Sequence, residues 1–234
     1  MRRIYGCTLA IAVLLLLAGP VDVRAQDADR SVADGGIQVA GWTGTIDSRA
    51  AESGQSLDDA LLAAVGDALR VTTGPAVTYW NPDNTASGDY TVSATFTEPE
   101  YMSLNNHPHP YGIVIGGNDM GTERQSYLYC AAYGNGRFIV RGFGPEPFQL
   151  NGRRAEEHSA VNQAEGQGEP VTQEIAVTVR DGTVECAING TVVANYDRSE
   201  VVTDGRLAST DGVYGIRFAH NTEAVVEDLT LTEH

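Results

Sequence analysis

The sequence predicts an all-β protein, specifically a two-sheet antiparallel jelly-roll sandwich. Between residues 76 and 231, short runs of alternating apolar and polar residues follow one another closely. Turn pairs containing Gly or Pro separate these runs, and helical periodicity is confined to residues 57–70. Because roughly ten to twelve short strands at this spacing need a second layer to bury their apolar faces, we expect a single sandwich domain over residues 37–234.

The N-terminus has the pattern of an export signal. Arg2 and Arg3 precede an apolar run from Leu9 to Ala18, and small residues lead to Ala25. This pattern predicts a signal peptide over residues 1–25 and a secreted or periplasmic protein, with an uncleaved N-terminal anchor as the alternative. The run is short for a membrane span, so no membrane insertion is expected after cleavage. Residues 26–36 are polar and acidic, which predicts a disordered lead.

The charge of the predicted mature chain excludes two classes of partner. After residues 1–25 are removed, 12 arginines and no lysine face 30 acidic residues, which gives a net charge of −18. Such a surface repels nucleic acid and anionic membranes. We therefore expect a small-molecule or glycan partner and no nucleic acid.

The first part of the domain contains one ambiguous segment. Residues 37–46 read as a first strand, whereas residues 57–70 carry apolar residues every four positions, as a helix would. Gly66 and Asp67 divide that segment, and residues 69–72 alternate like a strand. Residues 81–84 read as a turn and residues 145–170 as a long loop or lid. The remaining strands are predicted at 76–80, 90–97, 111–115, 127–133, 137–143, 213–219 and 225–231.

A β-meander over residues 171–196 has the strongest local signal. Asp181-Gly182 and Asn189-Gly190 separate three alternating runs, and such pairs suit two-residue hairpin loops because both central residues take φ > 0. A two-residue turn at Asp181-Gly182 sets the register and brings all apolar pairs to one face. The predicted pairs are Ile175 with Ile188, Val177 with Cys186, and Val179 with Val184.

Two cysteines follow the predicted signal peptide. Cys130 and Cys186 both fall on inward-facing positions of predicted strands, and an exported protein meets oxidising conditions. Both observations favour a disulfide between them. Facing sheets lie about 10 Å apart, however, and a disulfide needs Cα atoms within about 7 Å. On opposite layers away from an edge the cysteines would therefore stay free, and both outcomes remain open at this point.

From about residue 41 to residue 232, the order of strands and turns resembles the concanavalin A-like lectin/glucanase superfamily, and within it the laminin G-like and 3-keto-disaccharide hydrolase-type domains. The resemblance implies a sandwich, favours two strands over a helix between Leu61 and Thr72, and implies a sugar-related function. Calcium is common in this superfamily, so the resemblance makes it a candidate cofactor, with Asp228 on the last strand as a candidate ligand by position; the alternative is a solvated charge near a strand end. The segments that carry it are 88–96, 111–117, 127–129, 134–138, 189–190 and 212–217.

A tyrosine- and arginine-rich sheet face is the candidate ligand site. If Leu128, Cys130 and Ala132 face inward, the alternate tyrosines of the same strand face outward. Tyrosine rings can stack on the C–H faces of sugars, and arginine can donate to hydroxyl or carboxylate groups. We therefore predict carbohydrate binding on a concave outer face, against the alternative of an ordinary exposed sheet. The predicted ligand-binding residues are Tyr127, Tyr129, Tyr133, Arg137, Arg141 and Asn118.

A histidine-containing loop is the candidate catalytic site. His107 and His109 each precede a proline, which keeps both residues extended, so the two rings can face one side. With Asp119 and Glu123 they would supply acid and base groups or ligands for a transition metal; the alternative is a stiff surface loop.

No strand carries carboxylates at alternate positions, so a retaining glycanase is not indicated. Three functions remain open: carbohydrate binding, hydrolysis of glycosides of the 3-keto type, and a structural or adhesion role.

Overall fold

The computed structural model describes residues 28–234, which form two facing β-sheets; the predicted signal peptide lies outside these residues. Helices α1 (Ser48–Glu52) and α2 (Arg198–Val201) are short, and neither they nor any other helix in the described part of the chain is long and apolar enough to cross a membrane. A 3₁₀-helix spans Leu57–Asp59. In chain order the strands are β1 (Gly36–Ile37), β2 (Thr43–Ile46), β3 (Ala60–Val65), β4 (Ala68–Thr73), β5 (Val77–Ala86), β6 (Tyr90–Glu98), β7 (Pro110–Asn118), β8 (Ser126–Tyr133), β9 (Arg137–Phe143), β10 (Pro147–Gln149), β11 (Glu156–Glu157), β12 (Val171–Arg180), β13 (Thr183–Ile188), β14 (Thr191–Asp197), β15 (Gly212–Phe218) and β16 (Glu223–Glu233).

The two sheets have the connectivity of a jelly roll, which confirms the predicted fold class. Sheet A has the order β1-β3-β4-β16-β6-β12-β13-β14, and sheet B has the order β10-β9-β8-β7-β15-β5-β2, with β11 on β9. All pairings are antiparallel except that of β1 with β3. Since strands far apart in the chain are neighbours, most of this order depends on long-range contacts.

The meander forms as predicted, in the predicted register. Ile175 pairs with Ile188, Val177 with Cys186 and Val179 with Val184. The turn residues Asp181 and Gly182 have φ of 50° and 80°, and Asn189 and Gly190 have φ of 50° and 76°. Local turn chemistry is therefore enough to determine the pairing here, because a slip by one residue would turn every apolar side chain to solvent.

The ambiguous segment forms β3 and β4, so the strand interpretation is confirmed. Leu62 and Val71 lie opposite each other and are fully buried between the sheets. Two other local expectations are wrong. The predicted turn at 81–84 lies inside β5, opposite a register shift in β15 between Val213 and Gly215. The single first strand is two strands, β1 and β2, which belong to different sheets.

A disulfide joins the two sheets. Cys130 on β8 and Cys186 on β13 are bonded, with 6.0 Å between their Cα atoms. Of the two outcomes that the sequence left open, the structure therefore shows the disulfide. At this place, one strand from the edge strand β14, the layers approach more closely than the usual spacing of about 10 Å.

From residue 28 onward, the stretch predicted as a disordered lead is hydrogen-bonded to the sandwich. The Arg30 amide donates to Asn221 Oδ1 at 2.9 Å, and Asn221 Nδ2 donates to the Ala28 carbonyl at 3.0 Å. Asn221 is itself buried in the turn between β15 and β16. This contact brings the N-terminal segment beside one end of sheet B, although composition alone carries no signal for it.

Candidate functional site

The outer face of sheet B carries a second apolar cluster, separate from the core between the sheets. Leu128, Cys130 and Ala132 belong to the inter-sheet core, which confirms the predicted parity of β8. The alternate residues point to the outer face, where they are nevertheless buried against one another and against Phe143 of β9. The buried members of this cluster are Val114, Tyr127, Tyr129, Ala131 and Ile139.

A pocket of about 370 Å³ opens beside this cluster. Its lining includes the small residues Ala76, Pro110, Ala131 and Ala219, which come from neighbouring strands or their ends and leave a depression. Larger side chains surround them. One group consists of His107, His109 and His220, and another of Tyr129, Tyr133, Arg141, Arg217 and Asp47.

Arg217 and Asp47 form a largely buried ion pair at this pocket. Arg217 Nη2 donates to both oxygens of Asp47 at 2.8 Å, and the two side chains are 8% and 36% exposed. The guanidinium lies 4.9 Å from the ring centroid of Phe143 and 5.4 Å from that of Tyr129. Burial by itself lowers the pKa of Arg217, but Tyr127, Asp47 and Tyr129 outweigh it and raise this pKa above its ordinary value. Arg217 is therefore a fixed, permanent cation.

The three predicted ligand-binding tyrosines have different roles. Tyr127 is 1% exposed and does not line the pocket; its hydroxyl lies 3.0 Å from Thr78 Oγ1 and accepts from Arg217 Nη1 at 3.3 Å. Tyr127 therefore does not lie where it could contact a ligand in this pocket, contrary to the prediction. It supports Arg217 instead. Tyr129, 5% exposed, and the half-buried Tyr133 line the pocket. Burial raises the pKa of Tyr133 to about 12, so its hydroxyl stays protonated at neutral pH.

The two predicted arginines share the outer face but not the pocket. Arg141 pairs across the strands with Tyr129, lines the pocket, and lies 5.7 Å from the ring centroid of Phe143. Arg137 lies outside the pocket, and its Nη2 and Nε atoms donate to Glu157 Oε1 at 2.6 and 3.1 Å. Only Arg141, of these two, is placed to meet a ligand in the pocket.

Three histidines converge on one side of the pocket. His107 Nε2 and His109 Nε2 lie 2.7 Å apart, so the prediction that their rings face one side is confirmed. His220 joins them with its ring centroid 4.1 Å from that of His109. Within residues 28–234, this trio is the one group of three or more His, Cys, Asp or Glu residues with ligand atoms within 4.8 Å of one another.

The predicted carboxylate partners of these histidines lie elsewhere. Asp119 and Glu123 are exposed and follow β7, whereas the histidines precede it, so the extended strand separates them by roughly 30 Å. Asn118, also predicted to bind ligand, donates to the backbone oxygens of Gly116 and Asp211 at this far end of β7. The expectation of one site containing these residues and the histidines is therefore wrong.

Asp228 lies away from the pocket, on sheet A. It is exposed, has φ of 54°, and falls within the register shift of β16 between Glu227 and Thr230. With Asp67 and Asn84 it lines a separate groove. Calcium binding by Asp228 stays a prediction from the resemblance.

Sequence reasoning missed four residues at or beside the pocket: Asp29, Asp47, Arg217 and His220. The parity of β15 does carry a signal for Arg217, because Ile216 and Phe218 face the core and Arg217 must therefore face outward. No comparable signal exists for His220, because its approach to His109 depends on the long-range pairing of β15 with β7. Asp29 Oδ1 lies 2.7 Å from His220 Nδ1, at a position where a disordered lead was expected.

Neither a protein-family model nor a curated protein matches the chain, but solved structures do. The carbohydrate-binding module CBM66 from Bacillus subtilis matches with a TM-score of 0.54 and 7% identity, over 85% of this chain and 98% of that one. A protein of unknown function with a galectin-like fold, also from Bacillus subtilis, has a TM-score of 0.54 and 12% identity over 82% and 89% of the two chains. The endo-β-1,3-glucanase from Pyrococcus furiosus has a TM-score of 0.51 and 13% identity over 79% and 85%. These likenesses and the observed strand order show that the chain has the concanavalin A-like lectin/glucanase sandwich fold.

Proposed function

We propose that this protein binds carbohydrate in the pocket on the outer face of sheet B. The observation that carries the proposal is the lining of that pocket, in which tyrosine rings, two arginines and imidazoles surround a depression made by small residues. The fold supports it as well, because one solved structure with this fold is a carbohydrate-binding module and another is an endo-β-1,3-glucanase.

The lining offers what a sugar needs. Sugars present C–H faces that stack on aromatic rings and hydroxyl edges that take hydrogen bonds. Tyr129 and Tyr133 supply rings, the Tyr133 hydroxyl is protonated at neutral pH, and Arg141 supplies a charged donor. A volume of about 370 Å³ is at the small end of the usual range for ligand sites, which favours a ligand of one or two sugar rings.

We also propose that the protein works outside the cytoplasm. The N-terminal pattern of residues 1–25 motivates this proposal, and the bond between Cys130 and Cys186 supports it, because disulfides persist in oxidising compartments. The mass of the protein recovered from culture medium or periplasm would test cleavage after Ala25.

Calorimetric titration with a panel of neutral and acidic mono- and disaccharides tests sugar binding. Arg141→Ala should weaken binding at least about tenfold, because a charge-assisted hydrogen bond contributes about 1.5–3 kcal/mol. Arg137→Ala is the matched control: it lies on the same strand and the same face, outside the pocket. Tyr133→Ala should likewise weaken binding, whereas Tyr196→Ala on β14 of sheet A should not.

Two results would contradict the proposal. Wild-type protein that binds no member of the panel would favour a structural or adhesion domain instead. Equal losses from Arg141→Ala and Arg137→Ala would show that binding occurs outside the pocket.

Glycoside hydrolysis, including that of 3-keto-glycosides, is the second candidate function. The specific observation is the contact between His107 and His109 at the pocket, where an imidazole can exchange protons with a bound sugar. Asp119 and Glu123 are too distant to take part, and both oxygens of Asp47 accept from Arg217.

Turnover of a 3-keto-glucoside tests this candidate. His107→Ala should lower the rate at least a hundredfold, within the range that general acid–base catalysis contributes, whereas His158→Ala should leave it unchanged. Turnover that survives His107→Ala would exclude His107 as the catalyst.

A further inference from the structure

We propose that His107, His109 and His220 form a binding site for a divalent transition metal, with zinc as the best-fitting ion. This inference goes beyond sugar binding and does not depend on it. The three ligand atoms lie within 4.8 Å of one another, and His109, the central residue, is buried.

Hydrogen bonds on the far side of two rings leave the facing nitrogens as acceptors. His109 Nδ1 lies 2.5 Å from the backbone oxygen of His220, an acceptor, and 3.3 Å from Asn105 Nδ2, a donor; the much shorter contact assigns the proton to Nδ1. His107 Nδ1 lies 2.9 Å from Asn106 Oδ1, which is likewise an acceptor. In their neutral forms both rings therefore present a lone pair at Nε2.

These two lone pairs point at each other across 2.7 Å. Such a short contact needs either a proton or a metal ion between the nitrogens. Tetrahedral zinc with bonds of about 2.0–2.1 Å separates its nitrogen ligands by about 3.3 Å. The Nε2 atoms would have to move apart by about 0.6 Å to hold zinc.

The groups around His109 resemble those around a metal-binding histidine. A metal-binding histidine typically donates its other N–H to a carbonyl or a carboxylate. His109 has the carbonyl of His220, whereas Asp29 Oδ1 lies 2.7 Å from His220 Nδ1 without the geometry of a hydrogen bond. Asn105 Nδ2 donates to the Asn221 carbonyl at 2.9 Å and so holds the histidine loop on the turn that carries His220.

The donor set selects the class of metal. Three imidazoles without a thiolate suit Zn²⁺, Ni²⁺ or Cu²⁺, whereas Ca²⁺ and Mg²⁺ prefer oxygen ligands. Three protein ligands leave a fourth coordination position. Since all three histidines line the pocket with Tyr129 and Arg141, that position is open to a ligand bound there.

The test uses tag-free protein, stripped with a chelator and titrated with ZnCl₂ in a calorimeter without sugar. We expect saturable binding of one zinc ion per chain. His107→Ala and His220→Ala should each weaken it at least about a hundredfold, since each removes one of three ligands. His158→Ala and His234→Ala are the matched controls and should bind like wild type. Affinity should also fall at least tenfold between pH 7.5 and pH 5.5, because imidazole must be neutral to bind metal.

Absence of saturable zinc binding by folded wild-type protein would overturn the proposal and assign the short contact to a shared proton. Binding that persists unchanged in the His107→Ala/His220→Ala double variant would overturn it as well. Circular dichroism shows that each variant is folded; both substituted histidines are only half-buried, so the variants are expected to fold. Arg141→Ala should keep its zinc affinity and lose sugar affinity, so failure of one proposal is distinguishable from failure of the other.

Discussion

The outer faces of the two sheets differ in chemistry. On β6 of sheet A, the outward residues are Thr91, Ser93, Thr95 and Thr97, and three of their hydroxyls contact neighbouring strands, as in Thr91 Oγ1 to Thr178 Oγ1 at 2.8 Å. On β8 of sheet B, the outward residues are tyrosines and an alanine that are largely buried in a second cluster. A sandwich needs apolar residues only on its inner faces. The aromatic outer face of sheet B is therefore not required by the fold, which is why we connect it with binding.

An ion pair on each face shows the same difference. Arg217 and Asp47 on sheet B are 8% and 36% exposed, whereas Arg70 and Glu223 on sheet A are 49% and 24% exposed. Both pairs have an N···O distance of 2.8 Å or less. The difference lies in the cation: the guanidinium is buried on sheet B and half-exposed on sheet A, whereas both carboxylates are partly exposed.

Removing the disulfide, which joins the two sheets, should have the largest effect on the free energy of unfolding. By the loop-entropy relation, a bond across a separation of 56 residues stabilises by about 4 kcal/mol. Cys130→Ala/Cys186→Ala should therefore unfold at markedly lower urea concentration, and reductant should destabilise the wild type to a similar extent. Free thiols found in unfolded, unreduced mature protein would contradict the bond itself.

The two ion pairs should respond unequally to the same substitution. Arg217→Met removes a buried guanidinium and leaves Asp47, Thr78 and Tyr127 without their donor, and we expect a loss of about 3 kcal/mol in the free energy of unfolding. Arg70→Met should cost less than about 1 kcal/mol, because the Arg70 guanidinium is half-exposed. Urea unfolding curves give both values, and equal losses would break the comparison between the faces.

The smallest effect is expected on the outside of sheet A. Thr97→Val removes a contact of 3.0 Å between Thr97 Oγ1 and Thr172 Oγ1 but keeps a β-branched side chain on a strand. The free energy of unfolding should change by no more than about 0.5 kcal/mol, and sugar and zinc affinities should stay the same. A loss of ligand binding in this variant would show that sheet A carries a site.

The sequence alone determined the class of fold, the meander and the parity of β8. Each depends on residues close together in the chain, such as Asp181 and Gly182, whose backbone preferences select one hairpin register. Period-two alternation then assigns faces without knowledge of any partner strand. That is why the outward tyrosines could be predicted, although their burial could not.

Only the tertiary structure decided which residues meet. His220 and His109 are 111 positions apart in sequence and come together because β15 pairs with β7, and Arg217 and Asp47, 170 positions apart, because β5 lies between β15 and β2. Asp119 and Glu123 lie far from the histidines because they follow β7 and the histidines precede it, and the two ends of a strand lie at opposite ends of the sheet. Strand order depends on the apolar surface that the whole domain buries through long-range contacts, and no local stretch of sequence specifies it.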